Sequence, residues 1–274
     1  MSTLEAIVLG IVQGITEFLP ISSTAHLRIV PAFVGWEDPG AEFTAVTQMG
    51  TMAAVVIYFR KDLWRIARAW SASLTDKSRR GELDARMGWY IGLGTIPIAV
   101  FGLAFQDQIE TGARSLYLMG VTLILLGLVL LYAEKVGKRD RPIESIGRRD
   151  AIAVGFAQAC ALVPGVSRSG ATITAGLFLG FDRESAARYS FLLSVPAVVL
   201  SGAFEGLAIA TGEAKVDVGT GAVITATLFA FIAGYATIAF LLRFLTTHTT
   251  KVFVAYRVAL GALVIILVSA GAIS

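Results

Sequence analysis

A chain of 274 residues that is 55% hydrophobic and only 16% charged, with a mean hydropathy of +0.73, is too apolar for a soluble domain, in which roughly a quarter of residues carry charge. It reads as an all-α integral membrane protein with a single membrane domain over 1–274. The net charge of +3 suits basic loops on one face of a bilayer and leaves no nucleic-acid footprint, and the single Cys160 excludes an internal disulfide or a CxxC metal or redox site.

The chain opens on two short apolar segments, 4–19 and 23–34, separated by Pro20 and the hydroxyl cluster Ser22, Ser23 and Thr24. Neither is long enough to cross a bilayer, which takes about 20 residues of helix. Proline cannot continue a helix and serine favours a fresh N-cap, so the pair reads as a re-entrant helical hairpin. No Lys or Arg precedes Arg28, so the charged leader of a secretory signal is missing and these residues are expected in the mature protein. Spans are predicted at 42–59, 87–105 and 116–133, with basic loops at 60–86 and 134–150. A second hairpin follows, 151–163 then 171–180, broken at Pro164, and three more spans at 186–210, 218–242 and 252–273. The expectation is six transmembrane helices plus two re-entrant hairpins, since a barrel would show alternating segments of about ten residues.

An offset of 145 residues pairs Gly10 with Gly155, Gln13 with Gln158, Ser22 with Ser167, Phe33 with Phe178 and Gly35 with Gly180, without a gap. Residues 1–140 and 150–274 therefore read as homologous halves. Each carries three full spans, an odd number, so the second must enter from the opposite side, an inverted repeat whose broken helices meet near the midplane. Eight Lys/Arg in 60–86, six in 134–150 and two each in 181–188 and 243–251 fall on one side, against little beyond Arg28, Arg114 and Lys215 on the other. By the positive-inside rule the basic side is cytoplasmic, and both termini and the first hairpin's mouth face outward. Trp64, Trp70 and Trp89 flank span ends and read as interfacial anchors.

Polar residues at membrane depth are costly and mark function. Gln13 and Glu17 are four apart and share one helix face, where a polar clamp between helices is the plain alternative to a ligand site. A buried carboxylate needs a cation, either Arg168 or a divalent metal, and an oxygen-rich set of Glu17 and Gln13 suits Mg²⁺ or Ca²⁺ rather than zinc. Ser22 and Ser23 sit where a new helix begins, with His26 in its first turn. In the second hairpin Ser167, Ser169 and Thr172 supply hydroxyls beside Arg168. Helix starts are anion sites, and an arginine fork matches phosphate oxygens, so the two breaks together describe a phosphate cradle, although capping alone would also account for the hydroxyls. Ser22 or Ser23 could attack phosphorus with Glu17 or His26 taking the proton, or His26 could protonate the leaving group.

The run Gln13-x-x-x-Glu17-Phe18-Leu19-Pro20-Ile21-Ser22-Ser23-Thr24-Ala25-His26, with Pro164-Gly165-Val166-Ser167-Arg168-Ser169-Gly170-Ala171-Thr172, resembles the two signatures of the undecaprenyl pyrophosphate phosphatase family, also known as bacitracin resistance proteins. Ala25 stands where that family usually has glycine, and Gln13 replaces an optional second carboxylate. The resemblance implies hydrolysis of undecaprenyl diphosphate, a polyprenyl diphosphate lipid, to the monophosphate carrier used in cell-wall synthesis. It also implies dependence on Mg²⁺ or Ca²⁺ and a site opening on the outer face of a bacterial plasma membrane. Carried over by position, Glu17, Ser23, His26 and Arg168 are its catalytic set, with Ser23 the favoured nucleophile and Ser22, Thr24, Ser167, Ser169 and Thr172 around the phosphates. The type 2 phosphatidic acid phosphatases are excluded, because Thr174 stands where they place a second histidine and Glu134 where they need a lysine before Arg141-Pro142. The rival from another class is a polyprenyl-phosphate flippase, which would use the same cradle without cutting. A homodimer is left open.

Overall fold

A computed structural model describes residues 1–105, 115–211 and 218–273. Among them are eleven α-helices and three short 3₁₀ turns, with no strand. Arg114 and Lys215, used above to define the less basic side, lie outside the described residues.

Helix α1, Thr3–Phe18, begins in a capping box: Ser2 Oγ accepts from the Glu5 amide and Glu5 returns the bond to the Ser2 amide. It stops at Leu19, which is extended ahead of Pro20 as a pre-proline residue prefers. Helix α2, Ser23–Val34, ends on Gly35 in the left-handed region, φ +72°, which glycine adopts freely. Helices α3, Gly40–Tyr58, and α4, Arg60–Thr75, then follow almost end to end, and a 3₁₀ turn at Lys77–Gly81 leads into α5, Leu83–Ala104. The basic stretch 60–86, read above as a loop, is thus largely helical. Ile66, Ala69 and Ser73, three and four apart, form the buried face of α4, an amphipathic stripe too narrow to register as an apolar run.

After α6, Leu116–Val136, the second broken pair consists of α7, Arg148–Ala159, extended by a 3₁₀ turn at Cys160–Leu162, and α8, Arg168–Phe178. Helix α8 starts three residues before the expected 171, because Ser167 caps it; Arg168 is its first helical residue. The chain closes with α9, Arg183–Thr211, α10, Thr220–Thr247, and α11, Lys251–Ser269. Among the described residues four helices, α5, α6, α10 and α11, are long and apolar enough to cross a membrane. The other two predicted spans are covered by α3 and α9, which are not among those four; Glu42 and Gln48 dilute the apolar character of α3.

Packing crosses between the ends of the chain. Helix α1 lies along α10, α7 lies along α5, and α6 and α11 pack on one another. The short helices come unusually close to their partners: a Cβ on Gly10 would fall 2.3 Å from the Ala226 carbonyl oxygen, and one on Gly155 2.6 Å from that of Gly94. In a bilayer, where burial alone does not drive association, such close backbone contact is what holds helices together. Phe18 is buried edge-on against Phe191 at 5.3 Å, anchoring the end of α1 beside the first break. At the basic end, the buried Glu134 accepts from Arg139 at 2.9 Å, from Arg183 and from Thr250 Oγ1 at 2.8 Å, tying α6 to the starts of α9 and α11.

Candidate functional site

Each helix break turns on a serine with an unusual backbone. Ser22 has φ +76° and Ser167 φ +71°, 145 positions apart, and both cap the helix that follows, accepting from the amides of Ala25 at 3.4 Å and Gly170 at 3.1 Å. A non-glycine residue held at positive φ costs on the order of 1–3 kcal/mol and persists where the surroundings impose it. The two turns thrust the starts of α2 and α8 toward the end of α1.

Glu17 is where they meet. Arg168 Nη2 lies 2.5 Å from Glu17 Oε1 and Gln48 Nε2 3.1 Å from the same oxygen; Ser23 Oγ donates to Oε2 at 2.6 Å and Gln13 Nε2 at 3.2 Å. Four donors match the roughly four lone-pair directions of a carboxylate, so the acid is held as an acceptor with no freedom to turn. Ser169 Oγ donates to the Leu19 carbonyl at 2.9 Å and so joins the second break to the first. Glu17, Gln13, Ser23, Arg168 and Ser169 are therefore brought together.

The remaining expected residues take other partners. His26 is buried on α2 with Nδ1 2.7 Å from its own Ser22 carbonyl and Nε2 2.7 Å from Tyr256 Oη, so neither ring nitrogen addresses Ser23. The hydroxyls of Ser22 and Ser167 serve as caps, and Thr172 Oγ1 bonds the Arg168 carbonyl at 2.8 Å and Ser190 Oγ at 2.6 Å. Thr24 is exposed on the first turn of α2.

Three residues enter the site without having been singled out above. Gln48 was hidden in an apolar run. Tyr256 and Arg257 fall in the predicted span 252–273, where a charged residue is itself a signal by the same rule that marked Glu17. Arg257 is fully buried, and its guanidinium donates to the carbonyls of Pro20 at 3.0 Å, Gly165 and Val166 at 3.2 Å and Leu123 at 3.1 Å, binding both breaks and α6 at once. With Arg168 opposed by Glu17, Arg257 adds a positive charge between the two breaks, which suits an anion.

For a divalent cation the donor set is a single carboxylate with an amide beside it. Because Gln13 turns its Nε2 to Glu17, its Oε1 is buried with no partner among the described residues, a spare oxygen next to the acid. That fits Mg²⁺, which binds through one or two protein carboxylates and completes its shell with water and phosphate, more closely than Ca²⁺, which takes about six to eight oxygens. Among the described residues no group of three or more His, Cys, Asp or Glu side chains could hold a metal by itself.

Residues 6–263 match the family model described as bacitracin resistance protein BacA. The chain belongs to the bacitracin resistance protein BacA family. Curated relatives include an undecaprenyl-diphosphatase of Nocardioides sp., 56% identical over 99% of this chain and 98% of its own, and undecaprenyl-diphosphatase 2 of Streptomyces coelicolor, 51% identical over 100% and 97%. An undecaprenyl-diphosphatase of Chloroherpeton thalassium is 50% identical over 99% of this chain and 98% of its own. The residues that meet at Glu17 all lie within the stretch that the BacA model covers.

Proposed function

We propose that this BacA-family protein hydrolyses undecaprenyl diphosphate to undecaprenyl phosphate and inorganic phosphate, recycling the lipid carrier of cell-wall synthesis. The observation that carries the reading is the 2.5 Å contact of Glu17 with Arg168, which puts the acid of one broken helix and the guanidinium of the other on one spot, with Ser23 on the acid's second oxygen. The near-full-length match to undecaprenyl-diphosphatases supports it. A polyprenyl-phosphate flippase finds no support in those relatives' names.

In this reading the terminal phosphate displaces Glu17 from Arg168, whose fork then neutralises the charge that develops on the phosphoryl oxygens. Glu17 accepts the proton of the attacking hydroxyl: a water gives inorganic phosphate directly, whereas Ser23 gives a phosphoserine that a water then hydrolyses to free serine and phosphate. His26, in its doubly protonated form, is the acid for the departing oxygen in this reading, its Nε2 proton passing by way of the Tyr256 hydroxyl that this nitrogen faces. Glu17 and Gln13 are the residues to hold Mg²⁺ or Ca²⁺, which when bound shields the phosphate charges. Thr24, exposed at the start of α2, is placed to contact phosphate oxygens, Ser169 would do so only by giving up its bond to the Leu19 carbonyl, and Ser22, Ser167 and Thr172 shape the two turns.

The topology that goes with this chemistry has six spans and two re-entrant hairpins in two inverted halves, with both termini and the site on the outer side of the plasma membrane. Three relations favour it: the shared positive φ of Ser22 and Ser167, the matching close approaches of Gly10 and Gly155, and the exchange of partners in which α1 packs on α10 as α7 packs on α5. The test is phosphate release from undecaprenyl diphosphate by purified protein in detergent, where there is no membrane to transport across. Release by the wild type, lost in Glu17→Ala and Arg168→Ala, is expected; an inactive wild type overturns the reading.

A further inference from the structure

We propose that Tyr256 is the positioning residue of His26. With the Ser22 carbonyl holding the hydrogen on Nδ1, the Tyr256 hydroxyl holds Nε2, the nitrogen through which His26 exchanges its proton. The proposal rests on the phosphatase reading for its consequence in turnover, but not for its geometry.

The Ser22 carbonyl can only accept, so Nδ1, 2.7 Å away, carries the hydrogen. A neutral ring then has its lone pair on Nε2, and the Tyr256 hydroxyl, 2.7 Å from it, is the donor. Turning the ring over would set carbon atoms against both partners and lose both bonds. The two rings lie nearly parallel, 9° apart with centroids at 5.6 Å, which restricts rotation further.

Tyr256 owes its place to its neighbour. Arg257 is wholly buried and bonded to both helix breaks, which fixes the rotation of α11 about its axis at this point. The preceding residue is thereby turned about 100° away along the helix surface, and Tyr256 is 44% exposed where His26 is only 5% exposed. The phenol thus stands between a buried imidazole and the surroundings. A phenol also both donates and accepts. Once His26 takes up a proton, Nε2–H donates to the phenol oxygen and the Tyr256 proton turns outward, so the pair persists through both protonation states without movement of either ring. Phenylalanine would keep the stacking and lose this.

The experiment pairs kinetics with a spectroscopic readout. Tyr256→Phe is expected to lower kcat for undecaprenyl diphosphate about tenfold, a part of the roughly 10²–10⁴-fold that a general acid or base contributes, with KM changed by less than about twofold. In a His26→Ala background the same change should have almost no effect, because residues acting as one unit are not additive. A full Tyr256 effect that persists without His26, or one confined to KM, overturns the proposal. The chain has two histidines, so His248→Gln protein with ring-labelled histidine reports His26 alone by NMR. With Tyr256 present one protonated Nδ1 and one Nε2 that accepts a hydrogen bond are expected, and in Tyr256→Phe Nδ1 should stay protonated on the Ser22 carbonyl while the Nε2 shift moves to that of a nitrogen that has lost its donor. Identical spectra sink the proposal irrespective of turnover, whereas a wild type that releases no phosphate counts against the phosphatase reading and leaves the spectra to decide on Tyr256.

Discussion

Arg168 Nη2 rests 2.5 Å from Glu17 Oε1 across 151 positions of sequence, and both side chains are largely withdrawn from the surroundings. The pair is at once a brace between the two broken helices and the proposed centre of catalysis.

Those two roles separate by mutation. Removing one member of a buried pair leaves an uncompensated charge, at a cost of about 3–5 kcal/mol, whereas removing both does not. Glu17→Ala and Arg168→Ala should each lower the melting temperature in detergent, and the double variant should recover part of it. Activity should stay lost in all three, by about 10²–10³ or more for the arginine as for other charge-stabilising donors. A double variant no more stable than the worse single one contradicts the pairing.

The two capping serines make opposite demands on a substituent. Alanine at Ser22 or Ser167 loses the cap, worth about 1 kcal/mol, and keeps the strained φ; glycine loses little as a cap and relieves the strain. Thermal stability is therefore expected in the order Ser ≈ Gly > Ala at both positions. Alanine variants as stable as the glycine ones would show that the positive φ is not imposed there.

Helix contact can be tested at glycines. Gly10→Val places a branched side chain where even a Cβ sits 2.3 Å from the Ala226 carbonyl, and should prevent α1 from docking on α10, seen as loss of folded protein after extraction. Gly92→Ala in α5 meets nothing within 4 Å and should be neutral or stabilising by about 0.5–1 kcal/mol.

If Glu17 and Gln13 hold the divalent cation, chelation should abolish phosphate release, and Gln13→Glu, which adds a second carboxylate, should lower the Mg²⁺ concentration for half-maximal rate several-fold. An unchanged or raised requirement would place the ion elsewhere.

How far these features could be read from sequence differed by residue. Pro20 and Pro164 mark the breaks because a missing amide and a fixed φ are local facts, and Glu17 and Arg168 stand out as charges in apolar surroundings. That Ser22 and Ser167 have positive φ is invisible locally, since it is imposed by what the breaks pack against. Helix α4 was obscured because its alternating charges dilute hydropathy, although the three- and four-residue spacing of Ile66, Ala69 and Ser73 is present. His26 was expected beside Ser23 from its place in the same turn, but its partner Tyr256 lies 230 positions away, and no short-range pattern carries that pairing. Arg257 is the clearest omission, a lone cation in a predicted span.

Arg257 also has a bearing on assembly. It is the shared tether of the loops at Pro20 and at Gly165, yet it belongs to α11, which is translated after both of them. Until α11 has inserted, neither turn has its guanidinium anchor, so the pocket matures late in biogenesis, and chains stopped short of residue 257 should remain inert even with every residue around Glu17 already in the bilayer.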